Sequence, residues 1–274
     1  MKRMSEKLMR QALFEFYSEL GRIQLTGDAV SISSPSPSTA ASAQDEAILL
    51  INIYQPRVKT EEFFSVLKQV AEVVKKHHPD LIEEIVRIEE ALPAGPDARD
   101  LFVSRVFVPG INLLNYLEKE VPPDTFGFLL NHAVKPFMQL YREKVSSFYD
   151  PEQWLRGRCP VCGSNPNMAL LEKESGKRIL SCGLCEARWR FQRLGCPYCN
   201  SGESEFFTVE GMEKYRVYTC KNCNGYIKTV DEKQTGGEVN LFWEDIESVQ
   251  LDIVALHEGY CNRQSLPAAE GTEK

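Results

Sequence analysis

Eight cysteines stand in four Cys-x-x-Cys pairs: Cys159/Cys162, Cys182/Cys185, Cys196/Cys199 and Cys220/Cys223. They form two units, C-x2-C-x19-C-x2-C and C-x2-C-x20-C-x2-C, separated by ten residues. Thiolate sulfur is a soft donor, and four of them make the tetrahedral set that zinc or iron takes. Each unit supplies one set, so the spacing points to two metal ions. A closed four-sulfur set leaves no coordination position for substrate, which argues against Lewis-acid catalysis.

The first pair of each unit reads C-P-V-C-G or C-P-Y-C-N, the rubredoxin or zinc-ribbon knuckle. Such a turn favours a residue with positive φ after its second cysteine. Gly163, Asn200 and Asn224 suit that position, and Glu186 suits it less well. The matched units read as an internal duplication. Sequential pairing puts Cys159, Cys162, Cys182 and Cys185 on one ion and Cys196, Cys199, Cys220 and Cys223 on the other. An interleaved cross-brace would exchange the middle pairs, and the near-equal loops favour the sequential arrangement. Each loop has room for a hairpin: Met168–Leu171 with Arg178–Leu180, and Glu205–Val209 with Tyr215–Thr219.

Disulfides are the competing use of cysteine, and they belong to oxidising compartments. The opening MKRMSEKLMR has no apolar stretch and no small-residue cleavage site, which weighs against disulfides and for metal sites. A thioredoxin-like redox pair is disfavoured by four pairs in matched units with no βαβ pattern around them. Cys261 stands apart, either as an ordinary free thiol or as a redox or intermolecular-pairing residue.

The elements that must position these ligands follow from periodicity. Net charge is −7 and apolar content 43%, the composition of a globular chain able to bury a core without disulfides. No apolar run is long enough to span a membrane. Residues 1–150 carry helical patterns and predict an all-α domain. These patterns cover 3–24, Thr60–His77, Leu81–Ala91, Arg99–Glu120 with an interruption at Pro109–Gly110, and Thr125–Phe148 with a kink at Pro136. The Ser- and Pro-rich stretch 31–44 reads as a flexible linker within it. Metal modules are expected at 155–191 and 192–231. A C-terminal helix is expected within 240–262, running Trp243–Glu258 and stopped by Gly259, with the core stripe Ile246, Val249, Ile253, Leu256 and Tyr260. The fold class is α+β: an all-α domain, two small rubredoxin-like modules and a final helix.

Between Arg156 and Asn200, eight basic residues face three glutamates, a balance of +5; from Asp231 onward the balance is −7. The basic block either offsets the thiolate charge, about −2 per filled site, or forms a docking surface for an acidic partner or nucleic acid. Trp189 and Tyr226 are expected to cover the metal sites and keep water off the sulfurs. The four histidines, His77, His78, His132 and His257, fall in no catalytic motif, and the chain carries no GxSxG, P-loop or GxGxxG. No catalysis by this chain alone is expected.

The cysteine-bearing stretches resemble the formate dehydrogenase accessory protein family, FdhE. They are CPVCGSNP (159–166), RILSCGLCEARWRFQRLGCPYCN (178–200), YTCKNCNGYIK (218–228) and LDIVALHEGY (251–260). Arg178–Trp189 and Cys220–Lys228 are the most specific of them. The resemblance implies a cytoplasmic maturation helper for respiratory formate dehydrogenase that binds the molybdenum-containing catalytic subunit before export. It implies rubredoxin-like iron at both four-cysteine sites, with zinc as the alternative, and some self-association. Two other readings compete. One is a nucleic-acid-binding zinc-ribbon protein, supported by the basic block with Trp189 and Tyr198 but opposed by overall acidity. The other is a rubredoxin-like electron carrier, in which the helical domain would have no role.

Overall fold

The computed structural model describes residues 6–23, 25, 28–32 and 46–263. The Ser/Pro stretch, apart from residues 31 and 32, lies outside them. The chain divides into two compact units, Met1–Pro35 with Tyr54–Lys144, and Ser36–Ile53 with Val145–Lys274.

The first unit is helical. It contains α1 (Glu6–Leu20) and a two-residue antiparallel ladder of β1 (Val30–Ser31) with β2 (Arg57–Val58). That ladder is a small departure from an all-α reading. The helix α2 (Leu50–Ile53) falls within the stretch read as the helical domain but belongs to the second unit. The central helix of the first unit is α3 (Thr60–His77). Its residues Phe63, Val66, Leu67, Val70, Ala71, Val73 and Val74 share one face and are buried. Glu61 and Glu62 begin it while Lys75, Lys76 and His77 end it, matching the helix dipole.

After Pro79 come α4 (Ile82–Ala91), α5 (Pro96–Val106) and α6 (Pro123–Val145). The α5 helix starts three residues before the expected Arg99, because Gly95 is its N-cap and Pro96 fits the first turn. It does not resume after Pro109. Gly110 turns with φ +81°, and only a 3-10 turn, Leu113–Tyr116, follows. The α6 helix continues through Pro136. Phe63, Phe102, Phe107 and Phe137 pack with ring centroids 5.8–6.2 Å apart, joining α3, α5 and α6 in one core.

The second unit is built on one sheet. Its first three strands are β3 (Pro166–Leu171), β4 (Arg178–Cys182) and β5 (Arg188–Phe191). The next three are β6 (Glu205–Phe207), β7 (Tyr215–Thr219) and β8 (Gly225–Asp231). Both expected hairpins form, and each gains a third antiparallel strand, β5 or β8, that the sequence reading did not place. The order β5-β4-β3-β8-β7-β6 shows the same three-stranded unit twice, joined by a parallel pairing of β3 with β8 from Met168↔Lys228 to Leu171↔Asp231. The two modules therefore share a single sheet. All seven residues of β8 are buried, as expected of a strand flanked on both edges.

The C-terminal segment forms two helices, α7 (Leu241–Glu247) and α8 (Val249–His257), where one was expected. The break is at Ser248, which is fully buried; its hydroxyl donates to the Glu244 carbonyl at 2.6 Å and competes with the backbone. This break turns the apolar stripe. Leu241, Leu251 and Ala255 face the sheet beside Met168, Tyr215, Val217 and Val230, while Ile253 and Leu256 of the expected stripe are more than half exposed. Gly259 ends α8 with φ +87°, and β9 (Cys261–Asn262) then pairs with the start of β8.

Candidate metal centres

The four knuckles repeat one backbone pattern. The first cysteine of each donates its N–H to the carbonyl five residues on: Cys159 to Ser164, Cys182 to Ala187, Cys196 to Ser201 and Cys220 to Gly225, at 2.9–3.0 Å. In three of them the residue after the second cysteine donates back to the first: Gly163 to Cys159, Glu186 to Cys182 and Asn200 to Cys196. Closing this loop needs a left-handed residue after each pair, and Gly163, Glu186, Asn200 and Asn224 have φ of 76°, 58°, 57° and 54°. Glu186, the poor fit by residue type, adopts the same geometry, because the hydrogen bonds of the turn override its preference.

The thiols gather as Cys159, Cys162, Cys182 and Cys185 in one group and Cys196, Cys199, Cys220 and Cys223 in the other, with sulfurs in each group within 4.8 Å of one another. Sulfur separations include 3.5 Å for Cys159–Cys185, 3.4 Å for Cys162–Cys182, and 3.6 Å for both Cys196–Cys223 and Cys199–Cys220. A tetrahedral ion with sulfurs at about 2.3 Å sets neighbouring sulfurs about 3.8 Å apart. A disulfide would bring them to about 2 Å, and all nine cysteines are free. The geometry joins the pairs sequentially and not as a cross-brace.

The electrostatics fit a cation. Burial pushes the Cys159 and Cys185 thiols well up, while hydrogen bonds from Cys159, Cys182 and Cys185 hold Cys162 well below the usual range. In the second group burial raises Cys196, and raises Cys223 to about 11. Burial also opposes ionisation of Cys199, but hydrogen bonds from Asn222, Ser201, Cys220 and Cys223 outweigh it and bring that thiol to about 7. Burial thus opposes ionisation of Cys159, Cys185, Cys196 and Cys223, and a bound cation would offset that cost. The donor set, spacing and burial fit a divalent zinc or iron ion at either site.

Elements far apart in the chain set the centres in place. Leu50 and Ile51 of α2 donate to the carbonyls of Pro160 and Val161 in the first knuckle, at 2.9 and 3.0 Å. Gly157 abuts the second knuckle so closely that a Cβ there would lie 1.8 Å from the Pro197 carbonyl oxygen. Trp189 is buried in β5 and donates through Nε1 to the Arg156 carbonyl at 2.7 Å. Tyr198 donates to the carbonyl of Tyr226, at 3.1 Å.

Tyr226 takes part in a polar group between the sheet and the last two helices. Its hydroxyl donates to Asp252 at 2.8 Å, and Lys228 Nζ lies 2.7 Å from both Asp252 and Asp245. Asn167 adds a hydrogen bond to Asp245 at 3.0 Å. This group ties β3 and β8 to α7 and α8, and Lys228 is only 2% exposed. Burial raises the Asp252 pKa against the pull of Lys228. The sequence reading singled out neither aspartate; their positions three residues before and four after Ser248 were no signal without the helix break. Of the basic block, Arg178 alone is fully buried. Cys261 lies in β9, outside both groups. His77, His78 and His132 surround Phe16 in the first unit and belong to neither cysteine group.

A groove of about 800 Å³ opens beside the Cys196–Cys199 knuckle, which contributes Pro197 and Tyr198 to its lining. Ile48, Leu49, Trp154, Leu155, Arg156, Arg158 and Tyr198 are among its lining residues, which include no acid. Leu155 is half exposed there and held at φ +48°, a backbone conformation that a bulky residue rarely adopts.

Fold and site together define an α+β protein with tandem four-cysteine modules on a shared sheet. Residues 158–193 match the family model for the FdhE central domain. "Protein FdhE homolog" of Aquifex aeolicus is 32% identical over 152 residues, 53% of each chain. The Haemophilus ducreyi protein of the same name is 29% identical over 153 residues, 54% of this chain and 50% of that one. The chain spans about half the length of the curated relatives it matches. The crystal structure of the FdhE protein from Pseudomonas aeruginosa shares the fold, with a TM-score of 0.56 at 17% identity over 97% of this chain and 89% of that one. The resemblance to the FdhE family read from the cysteine-bearing stretches is borne out. No helix among the described residues is long and apolar enough to cross a membrane.

Proposed function

We propose that this chain is a cytoplasmic accessory protein for formate dehydrogenase maturation, binding the molybdenum-containing catalytic subunit before its export. The observation that carries this reading is the coincidence of family and site: the matched segment 158–193 contains the whole first four-cysteine group. A bound zinc or iron ion would cross-link two knuckles, and iron could also pass one electron. The ligands would be Cys159, Cys162, Cys182 and Cys185 at one site and Cys196, Cys199, Cys220 and Cys223 at the other. Four sulfurs on one ion leave no open position for substrate, so the role is to bind and present a client and not to catalyse.

The client contact we assign to the groove beside the Cys196–Cys199 knuckle. Two arginines without a carboxylate among its lining residues favour an acidic stretch of client chain, and exposed Leu155 offers an apolar anchor. The test is capture of tagged protein from formate-respiring cells, prepared without oxygen, with mass spectrometry and metal analysis. Recovery of the formate dehydrogenase catalytic subunit is expected, reduced at least tenfold by combined Arg156→Glu and Arg158→Glu at unchanged metal content. Recovery of nucleic acid in place of that subunit would overturn the reading.

A further inference from the structure

Arg178 begins β4, a strand of the first module, and is 0% exposed. Its Nη1 donates at 2.9 Å to the carbonyl of Gly195, the residue directly before Cys196 of the second site. Nε and Nη2 are buried with no hydrogen-bond acceptor among the described residues. The guanidinium carbon lies 4.6 Å from the Tyr218 ring centroid and 5.9 Å from that of Phe191. Ring faces attract a cation only modestly. An uncompensated buried charge costs several kcal/mol, so the rings alone leave the guanidinium short of a counter-charge. The Gly195 carbonyl that it holds is one residue from Cys196, so the guanidinium is anchored on the backbone that carries a ligand of the second group. A divalent ion on four thiolates carries a net charge of about −2, which is the counter-charge the arginine lacks.

We propose that Arg178 is a charge-balancing, positioning residue of the second four-cysteine site, so that a strand of the first module completes the metal centre of the second. The arrangement makes the two sites unequal despite identical donors. The second reaches full affinity only when β4 is in place. This inference is independent of the client's identity.

The test uses the full chain, stripped of metal under reducing conditions and reloaded with Co²⁺ alone, whose thiolate absorption is followed during chelator challenge. Two release phases are expected, and Cys220→Ser identifies the second site by abolishing one of them. Arg178→Met should accelerate release from that site roughly 10- to 100-fold, the range for losing a residue that supports metal ligands. Release from the first site should stay unchanged, and Arg178→Lys, which keeps the charge, should recover most of the loss. Equal acceleration at both sites, no acceleration, or failure of Lys to rescue would each overturn the proposal. Should the Met variant not fold, Cys220→Ser with the first site loaded decides by hydrogen exchange. Protection at residues 178–181 should fall although their own module keeps its metal, and unchanged protection would refute the inference.

Discussion

A glutamate at φ 58° is held there by the turn it closes. Glu186 occupies the position filled by Gly163, Asn200 and Asn224 in the other knuckles, and the left-handed region costs a residue with a Cβ roughly 1 kcal/mol. Glu186→Gly is expected to raise stability by about 0.5–1 kcal/mol in denaturant titration of the loaded protein, the glycine's extra unfolded-state entropy offsetting part of the gain. Gly157 is the opposite case. Gly157→Ala places a methyl 1.8 Å from the Pro197 backbone oxygen, which cannot rotate away. A loss of about 1–3 kcal/mol or more is expected, with faster metal release from the second site; unchanged stability would mean that the close approach does not persist in solution. At this scale the glycine and asparagines after the knuckles were legible from residue type alone. Gly157 was not, because its requirement comes from a chain segment forty residues away.

Among the elements, α1, α3 and α6 meet around Phe16, whose ring lies 5.4 Å from His77, 5.3 Å from His78 and 6.4 Å from His132. His132 also packs against Phe128 at 4.5 Å. Burial first, and then the charge of Lys135, lower its pKa to about 4. The fold therefore favours the neutral ring. Its contribution is complete above the ordinary value near 6.5 and is lost as pH falls from there towards 4, because the unfolded chain then binds the extra proton. The loss is at most roughly 3 kcal/mol. His132→Leu should flatten stability against pH between 6.5 and 4, measured by helical circular dichroism in urea; an unchanged slope would assign the acid sensitivity elsewhere, with the Glu19–His77 pair the next group to substitute. Amphipathic spacing was enough to place α3 at Thr60–His77 from sequence. It misplaced the C-terminal stripe because the hydroxyl of Ser248 resets the helix phase, and periodicity carried across a break assigns the wrong face.

For the whole molecule, two four-cysteine groups that could each hold a metal ion serve one sheet while the helical unit has its own phenylalanine core. Structural four-thiolate sites contribute about 10 kcal/mol or more to folding. Chelation under reducing conditions is therefore expected to unfold residues 145–263 and leave helical circular dichroism from the first unit. A single cooperative loss of both signals would contradict independent cores. The amino-acid sequence by itself determined the two sets of four thiols, the left-handed turns beside them, and most helices, because each depends on residues within a few positions of one another. Only the tertiary structure decided the parallel β3–β8 joint, the Lys228–Asp245–Asp252 tie and the hydrogen bond from Arg178 to the Gly195 carbonyl. These depend on strand register and on contacts between distant segments, and a buried charge shows its purpose only once its neighbours in space are known.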